Sequence, residues 1–219
     1  MESRKRQIED VASSLFSERG YSATSVRDIA RALDLQGGSL YAHISSKEDV
    51  LWTIVSRAAE RFDAAVRPVA NGRESAAERL RRMARAHVQV ITDDIEHATV
   101  FLHEWRFLGA ERRIAIGRQR DAYESYFRAV IAEGMCNGEF RRADPKMAGL
   151  GILSGLNGIA QWYRPDGRLT PDAIADSFAD LFLHGLCAPQ ERFEIRGSES
   201  IPSSNPEPRT SNSSGRDSP

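Results

Sequence analysis

The chain is poor in several things that would each point to a function. Only two cysteines, Cys136 and Cys187, stand among 219 residues, too few for a disulfide framework and without the paired spacing of a zinc site. A reducing compartment fits that usage, and the cytoplasm is the expected one, because residues 1–10 are polar and hold no apolar core of a secretory signal. Neither sign of charge dominates: 30 Lys and Arg meet 31 Asp and Glu, a formal net charge of −1. That balance excludes a global pull toward nucleic acid or an acidic membrane, so any such contact must be local. Long hydrophobic runs are missing as well. The longest charge-free stretch, 147–163, falls short of the roughly 20 apolar residues of a spanning helix. It also carries Gly149, Gly151, Gly155, Gly158, Asn157 and Gln161, so no membrane span is expected.

Signatures of catalysis are equally scarce. Gly149, Gly151 and Gly155 miss the dinucleotide-binding spacing by one residue and follow no strand. His103-Glu104 lacks the second histidine a zinc-binding helix needs, since position 107 is Phe107. No nucleophile elbow and no phosphate-cradling glycine loop occurs. The expectation is therefore no enzyme, no cofactor and no metal site.

What the sequence does contain is helical spacing, and no stretch alternates as a strand does. Ile8, Val11, Ala12, Leu15 and Phe16 form one apolar face, which Gly20 closes. Val26, Ile29, Ala30 and Leu33 form a second, short helix that Thr24 or Ser25 can cap. A third segment spans about 36–43. The run SSKED at 45–49 offers two overlapping capping boxes before Val50, Leu51, Ile54, Val55 and Ala58, a long helix ending near 68–72. Ser75 to Glu78 is another box, followed by Leu80, Met83, Ala84, His87 and Ile91 on one face. Segments 94–107 and 112–136 read as two more helices. Asp144-Pro145 and Thr170-Pro171 open helices of about 145–163 and 171–187. The expected fold is all-α, about nine helices: a three-helix domain over 1–50, a larger helical bundle over 51–190, and a disordered tail over 191–219, rich in Ser, Pro and Asn.

The informative stretch is TSVRDIARALDLQGGSLYAHISSKEDVL, residues 24–51. A short helix, a tight turn and a second short helix make a helix-turn-helix, with Ala30 small enough for the crossing and Leu33, Leu35 and Leu40 anchoring it. Gln36, Gly37, Gly38 and Ser39 are small or amide-bearing, and no acidic residue lies between Leu35 and Lys47. Two glycines early in a helix cost about 1 kcal/mol each relative to Ala. They make sense where the backbone must approach another surface, as a recognition helix approaches the major groove. Tyr41, His43 and Lys47 add donors beside it, and Arg4, Lys5 and Arg6 form a basic arm in front of the first helix. Residues 1–51 nevertheless hold seven basic against eight acidic residues, so affinity must come from local donors, helix N-termini and dimerisation.

On these residues, 1–55 resemble the DNA-binding domain of TetR-family transcriptional regulators, whose signature runs through the same Thr, Ile-Ala, Gly-Ser-Leu-Tyr-x-His and Ser-Lys-Glu positions. The resemblance implies that Gln36, Gly38 and Ser39 lie toward bases, with Gly37 and Ser25 on the same surface, while Thr24, Tyr41, His43 and Lys47 hold phosphates. The larger part, through WRFLGAERRIAIGRQRDAYESYFRAVIAEGMCNGEF and LNGIAQWYRPDGRLTPDAIADSFADLFLHGL, resembles the ligand domain of a TetR branch that governs breakdown of fatty acids, sterols or aromatic acids, many members of which respond to acyl-CoA thioesters. That resemblance implies an apolar tunnel lined by Phe101, Trp105, Tyr123 and Trp162, with Arg106 and Arg120 as polar contacts. Asn157 and Gln161 face it where some members carry bulkier or cationic residues. It also implies a homodimer through helices 145–163 and 171–187, presenting two recognition helices to a near-palindromic operator in double-stranded DNA, and repression relieved by a small effector. Gly151, Gly155 and Gly158 offer a face for close helix packing, either internal or across the two-fold. The competing reading is a protein-interaction module that uses the helix-turn-helix as scaffold without sequence-specific DNA binding.

Overall fold

The computed structural model describes residues 4–35 and 40–187, with the side chain of the last one outside the description. Among the described residues are eight α-helices, one short 3-10 helix and no strand. The expected tail at 191–219 lies outside them, as do Gln36, Gly37, Gly38 and Ser39.

Helix α1 (Arg4–Arg19) buries Ile8, Ala12, Leu15 and Phe16, with Val11 partly covered. Glu9 shares that buried face and is matched by Arg57 at 2.5 Å. Gly20 ends the helix at φ +84°, its N–H donating to the Phe16 carbonyl at 3.0 Å, a left-handed turn that a Cβ would strain. Helix α2 (Val26–Ala32) is capped by Ser25 rather than Thr24. The Ser25 hydroxyl accepts from the Asp28 N–H at 3.2 Å, and the Asp28 carboxylate accepts from the Ser25 N–H at 2.9 Å. After it, the Leu35 N–H donates to the Ala30 carbonyl at 2.9 Å. The described end of the expected third helix is a turn in which His43 and Ile44 donate to the carbonyl of the buried Leu40.

Helix α3 (Lys47–Ala70) begins at Ser46, whose hydroxyl accepts from the Asp49 N–H at 3.0 Å. Its apolar stripe, from Val50 through Ile54, Ala58 and Phe62 to Val66, packs on α1 at one end and on the later helices over the rest. Helix α4 (Ala76–Asp93) carries the Ser75 cap, and Glu139 accepts from the free amides of Ala76 and Ala77 at 3.2 Å. Helix α5 (Ile95–His103) stops short of the expected 94–107 and passes at Glu104 into the 3-10 turn Trp105–Phe107. Helix α6 (Ala110–Cys136) starts two residues earlier than the expected 112. Helices α7 (Pro145–Trp162) and α8 (Pro171–Cys187) open on Asp144 and Thr170 as expected. Helix α8 lies along α4, pinned by the two-pronged Arg85–Asp176 pair at 2.6 and 2.9 Å. Gly155 meets Phe178 and Phe182 of the same chain, whereas Gly151 and Gly158 face open space. No described helix is long and apolar enough to cross a membrane.

Candidate functional site

Helices α3, α4, α5, α6 and α7 leave between them a cavity of about 950 Å³. Its inner wall is aromatic. Phe62 stands 4.9 Å from the His87 ring, 5.3 Å from Phe101 and 5.9 Å from Tyr123. His87 is buried, its Nδ1 lies 2.7 Å from the Tyr123 hydroxyl, and its Nε2 has no hydrogen-bond partner. Burial depresses the imidazole pKa to about 3, which a polar contact from the Asn157 side chain, short of an aligned hydrogen bond to Nε2, opposes without cancelling, so the ring is neutral at pH 7. Burial, and then the charge of Asp63, push the Tyr123 phenol well above its ordinary value. Arg120 lays its guanidinium 5.2 Å from the ring centres of both Phe101 and Trp105, and burial lowers its pKa. Glu124 pairs with Arg128 at 3.3 Å through one carboxylate oxygen, while the other is buried without a partner. The exposed Glu60, Arg67 and Lys146 line the same cavity from α3 and α7.

Of the residues expected around a ligand, Phe101, Arg120, Tyr123 and Asn157 line this cavity. Four others are placed elsewhere. Trp105 and Arg106 border a separate, shallower hollow of about 410 Å³ with Ile114 and Gly117, although Trp105 reaches the cavity wall through Arg120. Arg106 spends its Nε–H on the His103 carbonyl at 2.7 Å, which turns it along the end of α5. Gln161 and Trp162 are exposed in the last turn of α7, beyond the residues of that helix that line the cavity, Lys146 to Asn157. Sequence reasoning did not single out His87, Phe62 or Glu124 for the site. The available signal was a histidine on the otherwise apolar face of α4.

At the other end, Arg4 and Lys5 are exposed on the first turn of α1, Ser25 is exposed at the α2 cap, and Tyr41 and His43 are exposed on the turn after Leu40. Two expected phosphate contacts need correction. The Thr24 side chain is 2 % exposed and its hydroxyl donates to the carbonyls of Gly20 and Leu15, at 3.0 and 3.3 Å. The Lys47 ammonium donates to the carbonyls of Tyr21 and Thr24, both at 2.7 Å, and sits 4.0 Å over the Tyr21 ring; burial lowers its pKa. Carbonyls of the α1–α2 turn require donors, and these two side chains supply them from inside.

The same turn is bolted to the α5–α6 joint. The Tyr21 N–H donates to Glu104 at 3.0 Å, and the Tyr21 ring stacks on Phe107 at 5.7 Å. Glu48 at the start of α3 accepts from the Gly109 N–H at 3.0 Å, and Arg112 bonds Asp49 at 2.5 Å. The Arg112 guanidinium, then the Ser46 hydroxyl, hold the Asp49 carboxyl below the usual carboxylate range.

A short capped helix and a following turn with exposed donors, joined by one long helix to a partly aromatic cavity, fit a DNA-binding transcription regulator with a ligand-binding body. Residues 8–52 match the bacterial regulatory proteins of the tetR family, and residues 73–186 match the tetracyclin repressor-like C-terminal domain. The chain belongs to the TetR family. It is 30 % identical over 189 residues to the HTH-type transcriptional repressor KstR2 of Rhodococcus jostii, covering 85 % of this chain and 92 % of that one. The structure of the ketosteroid transcriptional regulator KstR2 of Mycobacterium tuberculosis is similar at a TM-score of 0.81 with 26 % identity, over 86 % of this chain and 97 % of that one. AibR, solved in complex with isovaleryl coenzyme A and operator DNA, is similar at a TM-score of 0.73 with 28 % identity, over 85 % of this chain and all (100 %) of that one.

Proposed function

We propose that this protein is a homodimeric repressor that leaves its operator when an acyl-CoA thioester enters the cavity. The observation that carries the reading is the course of α3. It starts at Lys47 inside the α1–α2 turn and, through Ala59, Phe62, Asp63 and Arg67, forms a wall of the cavity. A ligand that spreads the aromatic wall displaces the same helix that positions the DNA-reading end. The second route is Arg120, stacked on Trp105, one residue from the Glu104 that holds Tyr21. A ligand shifts such an equilibrium only by its differential affinity for the two arrangements. The apolar wall suits an acyl chain, and the exposed Arg67 and Lys146 suit the phosphates of its carrier.

In this reading residues 1–50 read DNA, 51–190 bind effector and partner, and 191–219 form a tail. Gln36, Gly38 and Ser39 read bases, Tyr41 and His43 hold phosphates, and Arg4, Lys5, Ser25 and Gly37 belong to the same DNA-binding set. Met147, Gly151, Gly158 and Trp162 on α7 and the exposed Leu181 on α8 offer a surface of small and apolar residues for the two-fold contact. The protein works in the cytoplasm and catalyses nothing. A mobility shift with DNA upstream of its own and adjacent genes, with and without acyl-CoA thioesters, tests this. A specific shift reversed by a thioester is expected. A shift that no thioester reverses removes the effector class, and failure to bind any DNA site favours the interaction-module reading.

A further inference from the structure

We infer that the effector carries a neutral carbonyl or hydroxyl oxygen on the buried part of its acyl group, and that His87 Nε2 reads it. The inference rests on the acyl-thioester reading above and narrows it. His87 is 2 % exposed, it lines the cavity, and its Nε2 has no partner in the protein. Its other ring nitrogen is engaged by the Tyr123 hydroxyl at 2.7 Å. A phenol gives its proton to a neutral imidazole more readily than it accepts one, so Tyr123 donates to Nδ1 and the ring proton resides on Nε2. The cavity thus presents the uncharged Nε2–H of His87, with the Asn157 amide as a polar neighbour of the ring, on a wall whose aromatic part is Phe62, Phe101 and the Tyr123 ring. A saturated chain seated there strips Nε2 of solvent and returns no hydrogen bond, whereas a ligand oxygen returns one.

The test is calorimetric titration of the full chain with octanoyl-CoA and with octanoyl-CoA thioesters bearing one ketone at successive distal carbons. The same titrations are run on His87→Phe, which keeps an aromatic ring, and on His87→Gln, which keeps a donor. At least one ketone thioester is expected to bind the native protein about ten- to a hundredfold tighter than octanoyl-CoA. That ratio should fall to near one in His87→Phe through loss of ketone binding alone, and recover in part in His87→Gln. Equal or tighter binding of octanoyl-CoA by the native protein overturns the inference and leaves the thioester reading intact. So does a ratio unchanged in a folded His87→Phe protein. Binding of none of the thioesters overturns both. If His87→Phe does not fold, the ratio measured on the native protein still decides.

Discussion

His87 links ligand chemistry to stability through one ring. Its pKa in the fold is about 3, against an ordinary histidine value in the unfolded chain. Between those values the unfolded chain binds a proton that the folded protein refuses, so stability falls as pH drops below about 6.5. Urea denaturation at pH 7.5 and 5.5 should show a loss of about 1 kcal/mol attributable to this residue, and His87→Phe should remove that increment from the pH dependence. The groups facing the ring, the Tyr123 hydroxyl and the Asn157 amide, do not titrate in that window. A second residue-scale prediction concerns Gly134 on α6, where an added Cβ collides with the buried Phe140 ring and lies 2.9 Å from the Ala76 Cβ. Alanine is the better helix former by about 1 kcal/mol, but the overpacking costs about 1–3 kcal/mol. Gly134→Ala should therefore lower the midpoint of thermal or urea unfolding.

The ends of the helices were mostly readable, because a cap is a local device of three or four residues. Ser25, Ser46, Ser75, Asp144 and Thr170 all accept the amides their spacing assigns them. Ser46→Ala should cost about 1 kcal/mol in urea denaturation, the usual loss when such a cap is removed. The break at Glu104 was not readable. Residues 94–107 keep helical spacing, yet Glu104 is held by the Tyr21 amide, 83 positions away in the chain, and no window of sequence contains that partner. Lys47 was misplaced for a like reason, since the carbonyls that claim it, of Tyr21 and Thr24, lie 26 and 23 positions back, whereas Thr24 is turned inward by the nearby carbonyls of Gly20 and Leu15. At this scale Arg112→Ala, which unbolts α6 from the start of α3, should leave DNA affinity within a few-fold and weaken effector-driven release. Mobility shifts titrated with thioester measure both.

Across the whole molecule, the apolar residues left on α7 and α8 mark where a second copy belongs. Leu181 is 67 % exposed and Met147 64 % exposed, an arrangement that a free surface does not favour when repeated on adjacent helices. Leu181→Arg should shift the protein from dimer to monomer in light scattering. It should also weaken operator binding at least tenfold, because one recognition helix then docks without its two-fold mate.

The amino-acid sequence by itself determined the all-α architecture, the capped helix starts, the helix-turn-helix of residues 24–51 and the family they define. All of these rest on short-range periodicity and local hydrogen bonding, which are written in neighbouring residues. Only the tertiary structure decided which side chains share the cavity. It brought His87, Phe62 and Glu124 together with Phe101, Arg120, Tyr123 and Asn157, left Gln161 and Trp162 outside, and turned Lys47 and Thr24 inward. A cavity is the space five helices fail to fill, so its lining depends on how those helices cross, and each crossing is set by contacts between residues distant in the chain.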